Sequence, residues 1–263
     1  MPITIVPPVA VSPKSIWDYL GTPKIAASYA NSTSYVTLVN VSGEGLLTGI
    51  ACVTDQRGYF RITIDGTTLA DSFFSWRDDY RGCNGMGMLL RFKSSLHVEI
   101  RDSYRTTNAA FWCAYTLTGS EKVGEKYVVV RYPEAEGRDY VYLVEKYLTR
   151  DGRVFTVKTL KGCARLAEVR VSKQVYGRGE DIVGEVVFRN WKGEALSLDE
   201  VPAEFELKYA PAGRMLARKI RLSRNTLKFR IPVDKVPEGE YRIWTDLLGF
   251  ANIPATCMVE GGW

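Results

Sequence analysis

The chain has 263 residues, 46% of them hydrophobic, with 35 Lys and Arg against 30 Asp and Glu and a net charge of +5. This composition excludes disorder over most of the length, and no apolar run approaches the roughly 18 residues of a membrane-spanning helix. The single histidine, His97, excludes any metal site built from several imidazoles.

Residues 1–24 read as an extended arm. Pro2, Pro7, Pro8 and Pro13 keep it out of a central strand, apart from one helical turn expected at Ser15–Tyr19. The arm has no basic n-region, and Pro7 and Pro8 break its apolar stretch, so it does not read as a signal peptide. The expectation is synthesis in the cytoplasm.

Residues 25–120 alternate with period two or break at Gly, Asn and Asp, which predicts a β-sandwich, jelly-roll-like in its strand count. Strands are expected at Tyr35–Val41, Gly45–Thr54, Tyr59–Ile64, Met88–Phe92, Leu96–Arg101 and Ala110–Leu117. Asp65-Gly66 between extended segments predicts a type I′ turn, because both central residues need positive φ. Residues Trp76 to Gly87 read as a loop.

Residues 121–162 predict a hairpin sheet with a turn at Asp151-Gly152, which could pair onto either neighbouring region or bridge the two. Residues 163–263 carry strand patterns spaced like those of an immunoglobulin-like sandwich. The fold class is therefore all-β, with two sandwiches joined by a hairpin sheet. A short helical turn is expected at Asp199-Glu200.

The carboxy-terminal region resembles immunoglobulin-like and macroglobulin-type sandwich domains. The resemblance rests on Val175-Tyr-Gly-Arg-Gly-Glu180, Gly184-Glu-Val186, Ile231-Pro232 and Pro237-Glu-Gly-Glu-Tyr241. It implies a fold, with Tyr241 packed at a corner, and no activity. Ile62-Thr-Ile-Asp-Gly66 and Leu90-Arg-Phe-Lys-Ser-Ser-Leu96 are similar to β-rich structural proteins of tailed phages and archaeal viruses. That resemblance implies membership of a virion.

No residue set points to catalysis, a cofactor or a metal. His97 falls on the polar side of its strand with Lys93, Ser95, Glu99 and Arg101, and a solvated sheet face is expected there. Asp71, Asp78 and Asp79 do not follow an EF-hand spacing. Cys52, Cys83, Cys113, Cys163 and Cys257 form no Cys-x-x-Cys pair and read as buried small hydrophobes, with one or two disulfides as the alternative.

Two segments read as contact candidates. Phe73, Phe74, Trp76, Arg77, Tyr80 and Arg81 combine aromatic rings with arginines, the composition of interface hot spots and of sugar platforms. Packing over the sandwich end is the structural alternative. Lys219, Arg221, Lys228 and Arg230 are expected on the outer face of one hairpin, where ion pairing with Glu204 and Glu206 or with an acidic neighbour outweighs phosphate binding.

The expected function is a non-enzymatic virion structural protein (capsid, decoration or tail component) of a virus or phage. Only two glutamines and seven asparagines against abundant charge point to a thermophilic host. Its partners would be copies of itself and other virion proteins, met through loops, edge strands and the arm. Sequence-specific nucleic acid and a membrane span are not expected. The alternative is a carbohydrate-binding or adhesive surface protein using Trp76, Tyr80 and Trp112 as platforms.

Overall fold

The computed structural model describes residues 21–29, 32–54, 57–73, 82–103, 109–177, 179–202, 204–210, 216–221, 226–232 and 237–260, with the backbone alone at 72–73, 82–84, 198, 204 and 216–221. The 1–20 part of the arm, with its expected helical turn, and residues 74–81 lie outside the described residues.

The described chain is all-β and sandwich-like. In the first sandwich, one sheet has the order β1 (Thr22–Tyr29), β8 (Ala110–Leu117), β3 (Gly45–Thr54), β6 (Gly82–Phe92). Its partner has seven strands: β5 (Thr67–Phe73), β4 (Gly58–Ile64), β7 (Leu96–Asp102), β2 (Val36–Val41), β11 (Val154–Cys163), β10 (Arg138–Thr149) and β9 (Ser120–Tyr132). Alternation fixes the buried faces. Phe60, Ile62 and Ile64 pack with Leu96, Val98 and Ile100 against Leu47, Cys52, Phe111 and Cys113 of the facing sheet. The Phe60 and Phe111 rings meet edge to face, with centroids 5.4 Å apart.

The predicted turn at Asp65-Gly66 forms with φ of 50° and 82°. Asp65 also joins a second loop to the first. Its carboxylate accepts hydrogen bonds from the backbone N–H groups of Lys93, Ser94 and Ser95 and from the Ser94 hydroxyl. These donors hold the carboxyl well below the usual carboxylate range.

Residues 82–87 are strand rather than loop. β6 starts at Gly82, and Gly85 and Gly87 sit opposite Ala51 and Gly49 on β3. Glycine-rich sequence reads as a loop locally, yet an edge strand tolerates it when its neighbour supplies the pairing. β9 to β11 continue the seven-stranded sheet through pairing of β11 with β2 at Val157–Thr159.

The second sandwich pairs β17 (Thr226–Ile231), β14 (Ile182–Asn190), β12 (Arg165–Val171) and β19 (Ala251–Ile253) in one sheet. The other contains β13 (Val175–Tyr176), β20 (Ala255–Val259), β18 (Gly239–Thr245), β15 (Glu204–Ala210) and β16 (Leu216–Arg221). Its separate core centres on Val186, Phe188, Phe205, Tyr241 and Ile243. A Cβ on Gly184 would lie 2.2 Å from the Arg170 carbonyl oxygen, so only glycine lets β12 and β14 approach there. Tyr241 is fully buried, and its hydroxyl donates to the Pro237 carbonyl at 2.6 Å, the corner contact that its position predicted. Residues Leu198–Glu200 form a 3-10 turn, where the Glu200 carboxylate accepts from both the backbone N–H and the hydroxyl of Ser197.

Arg138 ties the two sandwiches together. Its side chain is fully buried. Nε donates to the Phe250 carbonyl at 2.6 Å, and a terminal nitrogen donates to Glu136 at 3.0 Å. The other Glu136 oxygen accepts from the Thr33 hydroxyl. Such a charge stays buried only because hydrogen bonds replace its water.

Candidate functional site: two sheet faces and a junction cleft

The predicted contact residues divide. Phe74, Trp76, Arg77, Tyr80 and Arg81 fall in 74–81, outside the described residues. Phe73 closes β5 opposite Tyr59. The four cations do not share one hairpin. Lys219 and Arg221 lie on β16 beside β15, whereas Lys228 and Arg230 lie on β17 beside β14, in the other sheet. The two strands belong to different sheets, and alternation within each strand cannot reveal that. The register does put Glu206 opposite Lys219 and Glu204 opposite Arg221. On β17, Lys228 faces Glu185 across the ladder, and Arg230 pairs with Asp181. Oppositely charged neighbours thus account for these positions more readily than phosphate.

The outer face of the seven-stranded sheet is charged and aromatic. Arg61 stacks on Tyr35 at 3.9 Å, donates to Asp71 at 3.0 Å and pairs with Glu99 at 3.4 Å. The Tyr35 hydroxyl donates to the other Asp71 oxygen at 2.5 Å, and Arg101 stacks on Tyr59 at 3.7 Å. Both Asp71 oxygens are therefore engaged within the sheet. His97 lies on this face, as its strand pattern predicted, but half-buried instead of fully solvated. Its Nε2 is 3.1 Å from the Thr37 hydroxyl. Burial pushes its pKa below the ordinary 6.5, with Lys158 and Arg61 adding to the effect and Glu99 opposing it.

The outer face of the four-stranded sheet is the opposite. On β1 the side chains alternating away from the core are Ile25, Ala27 and Tyr29, with Ala26 and Ser28 buried between them. On β8 they are Trp112, Ala114 and Thr116, and on β3 they are Gly49, Ala51 and Val53. β6 adds Gly85, Gly87, Leu89 and Arg91. Arg91 is the only charged group in this set, and it sits at one corner paired with Glu44 at 2.6 Å. Ile25 and Leu89 are each 75% exposed. On β3 these outward residues are half-buried between β8 and β6.

This apolar face runs into a cleft where the second sandwich rises beside it. Tyr29, Val53, Ala110 and Trp112 form one wall, and Leu166, Glu168, Arg189, Trp191 and Ile253 form the other, around about 630 Å³. Trp191 is held by the Tyr127 ring, whose centroid lies 4.9 Å away. Glu168 accepts from Arg170 and pairs with Arg189 at 2.7 Å. Of the rings expected to be platforms, Trp112 is in this cleft; Trp76 and Tyr80 lie outside the described residues.

Cys52, Cys113, Cys163 and Cys257 are buried, and Cys113, Cys163 and Cys257 are free thiols; the Cys83 side chain lies outside the described residues. Burial pushes the Cys113 thiol up to about 12 and the Cys257 thiol up to about 11. Both therefore pack as inert small hydrophobes. Among the described residues, no group of three or more His, Cys, Asp or Glu is arranged to hold a metal, and no helix is long and apolar enough to cross a membrane.

The fold and these surfaces define an all-β protein of two sandwiches. No family model matches the chain, and no curated protein matches it. Among solved structures, it is similar to the M60 catalytic domain with the CBM51-1 and CBM51-2 domains from Clostridium perfringens ZmpB. That match has 11% identity and a TM-score of 0.18, over 81% of this chain and 32% of that one. Likeness at that level carries no argument about function.

Proposed function

We propose that this chain is a non-enzymatic structural protein that works by self-association. The outer face of the four-stranded sheet, uncharged except for Arg91 at one corner, carries the reading. An antiparallel sheet with one solvated side normally alternates apolar and polar residues. Here the solvent side is built from Ala, Gly, Trp, Tyr, Ile and Val. Four strands about 4.8 Å apart and about eight residues long give roughly 500 Å² in plan. A largely apolar sheet face of that extent is suited to contact with another protein surface.

A second copy suits this face because neither partner would have to desolvate a charge at its centre. Flat Gly and Ala positions also allow close sheet-to-sheet approach. An edge strand of the other sheet offers a further contact: among the described residues β9 pairs only with β10, and it exposes Val123, Tyr127 and Val129. The assembly we have in mind is a viral or phage particle, for which Ile62–Gly66 and Leu90–Leu96 supply the resemblance. Light scattering on the purified chain tests the reading. A mass at a multiple of 29.6 kDa is expected. A monomer at micromolar concentration would overturn it.

The second reading is a carbohydrate-binding or adhesive surface protein. The junction cleft, with Trp112 in its wall, favours it.

A further inference from the structure

The geometry points to the junction cleft as a saccharide site, and we propose that it holds a short oligosaccharide stacked on Tyr29 and Trp112. This inference rests on the second reading above, and its two rings, Tyr29 and Trp112, stand where the apolar face meets the cleft.

A sugar has two kinds of surface, an apolar face of C–H groups and a rim of hydroxyls that both donate and accept. The cleft offers both counterparts. Tyr29 is 59% exposed at the end of β1, and Trp112 is half-buried on the neighbouring strand. Ala27 is directly opposite Trp112 in the ladder, and Tyr29 is two residues further along the same outward face. The two rings thus rise from one flat sheet, which fixes their spacing without loop ordering. Ring faces on a rigid strand pair lose little entropy when a ligand stacks on them.

The opposite wall supplies the polar groups. The Glu168 carboxylate and Arg189 guanidinium pair at 2.7 Å, with side chains 19% and 31% accessible. A vicinal diol can donate to the first and accept from the second. Lys161 adds a further donor at the same opening. Glu168 offsets Arg189, so the wall suits a neutral or weakly acidic sugar rather than a phosphorylated one. A cleft of about 630 Å³ falls within the range of small-molecule sites and exceeds what one pyranose ring fills.

The test is tryptophan fluorescence and calorimetric titration of the full chain with cellotriose, xylotriose, maltotriose and chitotriose. Wild type is compared with Y29A, W112A and K161A, with circular dichroism and light scattering recorded for each. Tyr29 is exposed enough that Y29A keeps its fold even if W112A does not. At least one sugar is expected to bind wild type, and to bind Y29A and any folded W112A about tenfold or more weakly. Silence of all four sugars, or affinity unchanged in Y29A, would overturn the proposal. An assembled mass retained in Y29A would show the sugar site and the self-association surface to be separable. A monomeric wild type that still binds sugar would sink the assembly reading alone.

Discussion

The two outer faces of the first sandwich come from the same architecture and opposite chemistry. On the seven-stranded side, Arg61, Asp71, Glu99 and Arg101 interleave with Tyr35 and Tyr59, and each charge finds an opposite charge or a ring within the sheet. On the four-stranded side, Ala27, Ala51, Ala114, Gly85 and Gly87 offer neither charge nor hydrogen bonds beyond the backbone. The first face is complete in water. The second gains free energy only when something covers it. A strand's outward residues therefore report what lies beyond the sheet as much as the sheet itself.

The largest expected effect falls where the second sandwich is fastened beside these faces. Arg138→Ala leaves Glu136 without its buried partner and the Phe250 carbonyl without its donor, and should cost about 3–5 kcal/mol. Chemical denaturation would read it. A loss under about 1 kcal/mol would mean that the junction does not depend on this bolt.

Next comes a charge placed on the apolar face. Ala114→Arg should leave folding stability within about 0.5 kcal/mol and weaken self-association at least about tenfold. Sedimentation velocity over a concentration series would show it. An unchanged mass distribution would place the contact elsewhere.

The charged face should respond less. Arg61→Ala removes partly exposed ion pairs with Asp71 and Glu99 and should cost about 1 kcal/mol or less, shrinking as sodium chloride is raised. Ammonium sulfate, by contrast, should strengthen association through the apolar face. If both faces respond to salt in the same direction, the contrast between them fails.

The smallest effect is a pH dependence at His97. Burial lowers its folded pKa below 6.5, so the unfolded chain takes up this proton first as pH falls. Stability from this group is then full above its unfolded pKa and declines as pH drops toward the folded value. His97→Gln should remove that slope. Thermal melts of both proteins at about pH 7.5 and about pH 5 would show a gap that changes with pH. A constant gap would mean that His97 titrates alike in both states.

The sequence alone determined what depends on near neighbours. Strand positions follow from alternation. The Asp65-Gly66 turn follows from the need for positive φ, and the corner position of Tyr241 is what the resemblance to immunoglobulin-like sandwiches implied. All five cysteines read as buried hydrophobes because nothing in their spacing suggests a shared ligand, and the four whose side chains are described are buried. Trp112 was legible as a ring on a strand. Its partners in the cleft, Tyr29, Glu168, Arg189 and Trp191, were not, because they come from three separate strands and a turn.

Tertiary structure decided what depends on pairing at a distance. Alternation places Lys219 and Lys228 outward within their own strands. Only the membership of those strands in different sheets puts them on opposite layers of the sandwich. The segment 121–162 has equal local claims on either neighbour, and the β11–β2 ladder assigns it to the first. Gly82–Gly87 reads as a loop by composition, and only pairing with β3 makes it strand. Local sequence sets which way a side chain points. What it meets there is set by which strands the closing core brings together, and that choice is made by contacts far apart in the chain.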